Sequence, residues 1–183
     1  MNGAAFGEAD ESVVRLTDRL ATEHVAVNWY TLPPGDGFPG GLHAHADQEE
    51  VFVVVAGVAR FETLDGPVRV AAGEAVRFAP GEFQTGENAG DTPLVALALG
   101  APRDGDDVRV PATCLDCGAN ALRLDTAGGP TFVCPDCGAE HTPAPCPDCA
   151  SDRLAFATDA AHDPIVECDD CGSRFADAPL ATE

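Results

Sequence analysis

The sequence predicts an all-β protein, with one antiparallel barrel or sandwich followed by two small metal-stabilised units. Over residues 21–101, short β-branched and aromatic runs alternate with turns that contain Gly, Pro or Asn, and apolar residues do not recur every 3.6 positions. All eight cysteines follow residue 113, in four C-x-x-C pairs. The first pattern is typical of packed antiparallel sheets. The second is typical of small units held together by metal ions.

Local patterns predict the individual elements of the barrel. Residues 12–20 fit either a short helix or an entering strand. Asp65-Gly66, between strand-like runs at 60–64 and 68–71, predicts a hairpin. The remaining predicted strands are 24–32, 51–55, 75–79 and 93–99.

The stretch 37–57 carries the main candidate site. His43 and His45 are two residues apart, so on a strand both imidazoles face the same side. Glu50 joins them if the chain turns at residues 46–48 and Glu50 opens the next strand. Two imidazoles and one carboxylate are the ligand set of non-haem iron oxygenases. The pattern therefore predicts a divalent transition metal (Fe, Mn, Ni or Zn) in the barrel.

A family resemblance rests on how these residues are spaced. Gly37, His43, His45, Glu50 and Gly57 together resemble the first motif of the cupin barrels. The resemblance extends over residues 12–101. It implies a small antiparallel β-barrel with its site in the mouth, and it implies dimerisation through barrel edges.

Residues 73–88 resemble the second cupin motif, with two departures. Ala79 replaces a proline, and Gln84 stands where the family has its third metal-binding histidine. An amide oxygen is a weaker donor than imidazole for first-row metals, so Gln84 is either a weak fourth ligand or a hydrogen-bond donor to a bound water. The alternative is a barrel without metal, in which the histidines pair with Glu50.

The four cysteine pairs form two sets at zinc-binding spacing. The segment repeats with a period of 32, which aligns Cys114 with Cys146 and Leu122 with Leu154. Gaps of 16 and 18 residues within the sets fit the C-x2-C-x15–20-C-x2-C pattern, which is similar to tandem zinc ribbons. The predicted zinc ligands are Cys114, Cys117, Cys134 and Cys137 in the first ribbon and Cys146, Cys149, Cys168 and Cys171 in the second.

Other interpretations of the cysteines are less favoured than zinc. Disulfides need an oxidising compartment, against which the missing signal peptide argues, and redox pairs need a thioredoxin-like βαβ context, which the sequence does not show. Iron in a four-thiolate site is chemically reasonable, but both gaps fit the zinc-ribbon spacing. Sequential pairing of the C-x-x-C motifs is favoured over an interleaved cross-brace, because two of the eight residues between Cys137 and Cys146 are prolines. His141 and His162 are expected to be solvent-exposed loop residues without a metal role.

Composition indicates the environment in which the protein works and the kinds of partner it can bind. The chain has 183 residues and a formal net charge of −21, and its ten basic residues are all arginine. Such acidity suggests a salt-loving host. Residues 111–183 carry 13 acidic and 3 basic side chains, which disfavours a nucleic-acid partner. The N-terminus lacks a signal-peptide pattern, and a membrane-spanning run is absent, so a cytoplasmic protein is expected.

The predicted organisation is a disordered N-terminus (1–11), the barrel (12–101), a linker (102–110) and zinc ribbons at 111–141 and 142–176. The leading function is metal-dependent binding of a small organic molecule in the barrel, with ribbons that stabilise the chain or dock a protein partner. The alternatives are a metal-dependent oxygenase or isomerase, which Gln84 disfavours, and a nucleic-acid adaptor. The expected barrel-lining residues are Val25, Val27, Trp29, Phe52 and Val54.

Overall fold

The computed structural model describes residues 1–4 and 12–181, which are built almost entirely of antiparallel strands. The first half contains β1 Val13–Arg15, α1 Leu16–Leu20, β2 Ala26–Leu32, β3 Ala44–His45, β4 Glu49–Ala56, β5 Val58–Thr63, β6 Val68–Ala71, β7 Ala75–Phe78, β8 Gln84–Asn88 and β9 Leu94–Ala101. The second half contains β10 Val108–Val110, β11 Leu122–Asp125, β12 Thr131–Val133, β13 Glu140–His141, β14 Leu154–Thr158, β15 Pro164–Cys168 and β16 Arg174–Phe175. The predicted all-β class is confirmed. Most of the predicted disordered N-terminus, residues 5–11, lies outside the described residues.

Two sheets enclose an aromatic core in the first half. One has the strand order β1-β2-β9-β4-β7 and the other β6-β5-β8. Four buried rings, those of Phe38, Phe52, Phe61 and Phe78, contact one another with centroids 4.9–6.1 Å apart. The hairpin predicted at Asp65-Gly66 joins the paired strands β5 and β6. These rings fill the interior, and the candidate site lies beside them.

The inward face of β2 is the opposite of the predicted one. Tyr30 and Leu32 pack into the barrel core, whereas Val27 and Trp29 pack in a separate cluster with residues of β1 and α1. Alternation along a strand identifies two faces, but it does not tell which one is inside when a further layer covers the outside.

Gly86 on β8 is required by the aromatic core. It lies opposite Phe61 in the β5–β8 pair, and a Cβ atom there would come 2.5 Å from the Phe61 ring and 2.9 Å from the Phe38 ring. We expect Gly86→Ala to lower the free energy of unfolding by about 1–3 kcal/mol through overpacking, measured by urea denaturation. Gly128→Ala is the matched control, because a Cβ there meets nothing within 4 Å, and equal losses in both variants would contradict this account.

The first cysteine-rich unit (residues 111–141) and the second (residues 142–176) both contact the barrel loop that carries the histidines. Strand β3 pairs with β10, which pairs with β11, so that β3 is the edge of a sheet of order β13-β12-β11-β10-β3. The second unit has its own sheet, β14-β15-β16, and its Phe156 carbonyl accepts a hydrogen bond from the Leu42 N–H at 2.8 Å. The segment predicted as a linker at 102–110 therefore ends in a strand that joins the barrel to the first unit.

Candidate metal centres

His43, His45 and Glu50 converge at the mouth of the barrel. Their ligand atoms all lie within 4.8 Å of one another, and His45 Nε2 is 3.6 Å from Glu50 Oε2. The chain turns after β3, and Glu50 is the second residue of β4. The structure thus brings together the three residues that the sequence predicted, in the way the turn at 46–48 required.

Both imidazoles are in a state that can donate a nitrogen lone pair to a metal ion. His43 Nδ1 lies 2.8 Å from the Gly41 carbonyl oxygen, which only accepts, so Nδ1 carries the proton and Nε2 is free to bind a metal. Burial lowers the pKa of His45, more than the nearby Glu50 carboxylate raises it, which favours the neutral ring. His45 Nδ1 is itself buried without a hydrogen-bond partner among the described residues. This donor set fits a divalent first-row metal.

Gln84 lies in the site, and its side chain contacts Glu50. Its Nε2 donates to Glu50 Oε2 at 3.1 Å, and its side chain is buried. Its backbone exchanges two hydrogen bonds with His43, at 2.8 and 3.1 Å. Gln84 therefore orients the Glu50 carboxylate.

The sequence did not point to Tyr30 as part of this site. A cavity of about 40 Å³ is lined by Tyr30, His43, Glu50 and Gln84, together with core aromatic residues. Burial, and next the negative charge of Glu50, raise the pKa of Tyr30, so its phenol stays protonated and can donate a hydrogen bond. Since the inner face of β2 was assigned wrongly from the sequence, Tyr30 was missed.

The eight cysteines form two separate clusters with sequential pairing. The structure groups Cys114, Cys117, Cys134 and Cys137 in one cluster and Cys146, Cys149, Cys168 and Cys171 in the other. Neighbouring sulfurs lie 3.6–3.7 Å apart. Four thiolates about 2.3 Å from one ion would be about 3.8 Å apart at the corners of a tetrahedron, whereas a disulfide is about 2.05 Å long. The clusters therefore have the geometry of metal sites.

The expectation of exposed loop histidines is wrong for His141. This residue lies in β13, is 8% exposed, and places Nε2 3.3 Å from Cys114 Sγ. Strand pairing with Phe132 turns it inward. His162 is half-buried, with a buried Nδ1 that lacks a partner among the described residues, and its ring lies close to Gly66 of the barrel hairpin.

Comparisons with known proteins agree with this architecture. Residues 28–100 match the family described as Cupin domain. A sugar phosphate isomerase of a cupin superfamily from Silicibacter pomeroyi is 23% identical with a TM-score of 0.52, and the alignment covers 69% of this chain and 77% of that chain. A cupin protein from Bacteroides fragilis is 24% identical with a TM-score of 0.49, over 65% of this chain and 97% of that chain. The likeness to the isomerase, at a TM-score of 0.52, concerns the fold alone.

Searches of curated proteins gave no match. Among the described residues, no helix is long and apolar enough to cross a membrane. The family match covers the strands and the turn that carry His43, His45, Glu50 and Gln84. Residues 28–100 of this chain therefore form a cupin domain.

Proposed function

We propose that this is a metal-binding protein in which the cupin domain holds a divalent transition metal and the two cysteine units are structural zinc ribbons. The convergence of His43, His45 and Glu50 within 4.8 Å carries the proposal for the barrel. The metal would supply a Lewis acid with open positions for a ligand. The ribbons, with complete four-sulfur sets, stabilise the chain or dock a protein partner.

The small volume of the cavity limits how much of a ligand can enter the barrel site. The cavity at the site measures about 40 Å³, compared with roughly 300–1,000 Å³ for an ordinary small-molecule pocket. Phe38 and Phe52 close its inner side. We infer that a small organic molecule presents one oxygen-containing group to the metal while the rest of it stays outside the mouth.

A metal-dependent cupin enzyme, of oxygenase or isomerase type, is the second candidate. The observation that favours it is Tyr30, a protonated phenol at the wall of the site whose pKa is raised by burial and by Glu50. Such a group can donate a proton to a substrate oxygen, and Glu50 can accept one if it leaves the metal.

Elemental analysis tests the barrel centre directly. We expect three metal equivalents for the purified protein and two for the double variant His43→Ala/His45→Ala, because the eight cysteines are unchanged. His24→Ala is the control, since His24 is exposed and lies outside the metal-binding groups. An unchanged metal count in the double variant would leave the barrel metal-free and would remove both candidate functions in their metal form.

Salt should stabilise the protein, in keeping with a salt-loving host. At a net charge of −21 the folded chain repels itself in dilute buffer, and in 1 M salt the Debye length falls to about 3 Å. We expect the melting temperature to rise between dilute buffer and molar potassium chloride, with sucrose as the uncharged control. Equal melting temperatures in dilute and concentrated potassium chloride would contradict this proposal.

A further inference from the structure

His141 is a buried polar residue at the first four-cysteine cluster that the zinc-binding pattern does not use. Its Nε2 lies 3.3 Å from Cys114 Sγ and 3.7 Å from Asp116 Oδ2. The Cys114 residue is 1% exposed and His141 is 8% exposed. Water therefore has little access to this sulfur, and the His141 ring is the side-chain group placed to donate a hydrogen bond to it.

The internal repeat provides a matched comparison within the same chain. His141 follows Cys137 by four residues, and Phe175 follows Cys171 by four residues. Both positions lie on the last strand of their unit, where His141 pairs with Phe132 and Phe175 pairs with Val166. The second unit thus has a benzene ring where the first has an imidazole.

The hydrogen bonds to sulfur differ accordingly between the two clusters. In the second cluster, the Cys171 thiol donates to Ser173 Oγ at 3.3 Å, and a metal-bound Cys171 thiolate would accept from this hydroxyl instead. Cys171 is exposed, so water can also reach that sulfur. In the first cluster the donor reaches a buried sulfur. A charge-assisted hydrogen bond to a buried thiolate is the stronger of the two, because it acts in a lower dielectric.

We propose that His141 is a positioning residue of the first metal site, where its Nε2–H donates to the Cys114 thiolate and makes this site hold its metal more firmly than the second. The proposal rests on the proposed zinc occupancy of both units. The hydrogen bond fixes the Cys114 side chain on the metal, as outer partners of metal ligands generally do. It also offsets part of the negative charge of a buried four-thiolate site, which stabilises that site in a low dielectric. The two sites have the same four-cysteine ligand set, but the first should release its metal more slowly than the second.

Zinc release into excess chelator, followed with a zinc-sensitive dye, tests this inequality. In the full-length His43→Ala/His45→Ala background, which removes the proposed barrel centre, the zinc-loaded protein should release zinc in two phases. Adding His141→Phe should accelerate only the slower one, by about tenfold. Phenylalanine is the natural residue at the equivalent position, so the substitution suits the fold. His141→Gln, which retains an N–H donor, should restore part of the slow phase, and Phe175→His should slow the faster phase.

Cobalt substitution in the same His43→Ala/His45→Ala background separates hydrogen bonding from coordination. The sulfur-to-cobalt charge-transfer band should move to lower energy in His141→Phe, while the d–d bands stay those of a four-sulfur site. The proposal is overturned if His141→Phe leaves both phases unchanged, if it accelerates both equally, or if the d–d bands show that a nitrogen ligand has been lost. A wild-type protein without zinc would instead refute the proposed function of the ribbons.

Discussion

Replacing Cys168 with serine is expected to abolish the second proposed zinc site and to unfold the second unit. Apart from its cysteines, this unit contributes one residue, Val166, to the buried hydrophobic core. A segment of this size does not bury enough apolar surface to fold by itself. Bound zinc contributes roughly 10–16 kcal/mol of apparent free energy in comparable peptides. Losing a buried thiolate ligand should therefore remove most of the stability of this unit.

The same substitution should also weaken the proposed metal centre of the barrel. Phe156 of the second unit accepts a hydrogen bond from the Leu42 N–H, and a Cβ at Gly41 would lie 3.2 Å from the Phe156 oxygen. The Gly41 carbonyl in turn holds the proton on His43 Nδ1. Unfolding the second unit frees this loop, and we expect the barrel metal to bind about tenfold more weakly, as when other outer partners of metal ligands are lost.

Metal titration of Cys168→Ser beside Asp169→Ser measures both effects. Asp169 is exposed and adjacent to Cys168, but among the described residues it belongs to none of the candidate metal-ligand clusters. The cysteine variant should lose one zinc equivalent and bind the barrel metal more weakly, whereas the aspartate variant should resemble the wild type. If the barrel metal bound equally well in both variants, His43 would not depend on the second unit.

The grouping of the candidate metal ligands could be predicted because it follows from their spacing. An H-x-H pair on one strand points its rings to one side, and the turn before Glu50 returns the carboxylate to the same place. The C-x-x-C motifs are similarly local, because each one supplies two sulfurs to a site. Sequential pairing of the C-x-x-C motifs could also be predicted. The connection between Cys137 and Cys146 is short and contains prolines, so it does not form the hairpin that would bring the second and third motifs into one site.

The remaining features depend on contacts between distant segments. Trp29 faces away from the barrel core and packs against β1 and α1, which cover that side of the sheet. The alternating pattern of β2 does not predict that such a covering layer exists. His141 is buried because it pairs with Phe132 beside the first cluster. A cysteine pattern that is already complete gives no reason to look for a fifth residue. The joining of β3 to β10 likewise follows from the tertiary fold.

Replacing Gln84 with histidine should strengthen the barrel metal centre. Gln84 already faces the site, donating to Glu50 Oε2 at 3.1 Å, and its backbone is paired with that of His43. A side chain at this position therefore needs little movement to reach the metal. Imidazole is a better ligand than an amide for first-row divalent metals. We expect the dissociation constant to fall at least tenfold, or by about 1.4 kcal/mol in binding free energy.

The comparison with Gln84→Leu determines whether coordination or orientation matters at this position. Leucine removes the hydrogen bond to Glu50 without offering a ligand, so metal should bind more weakly than in the wild type if Gln84 orients the carboxylate. The order of affinity should then be histidine, glutamine, leucine, measured by competition with a metal-binding dye. If the histidine variant bound no more tightly than the wild type, position 84 would be too far from the metal to coordinate it. Gln84 would then serve only to orient Glu50.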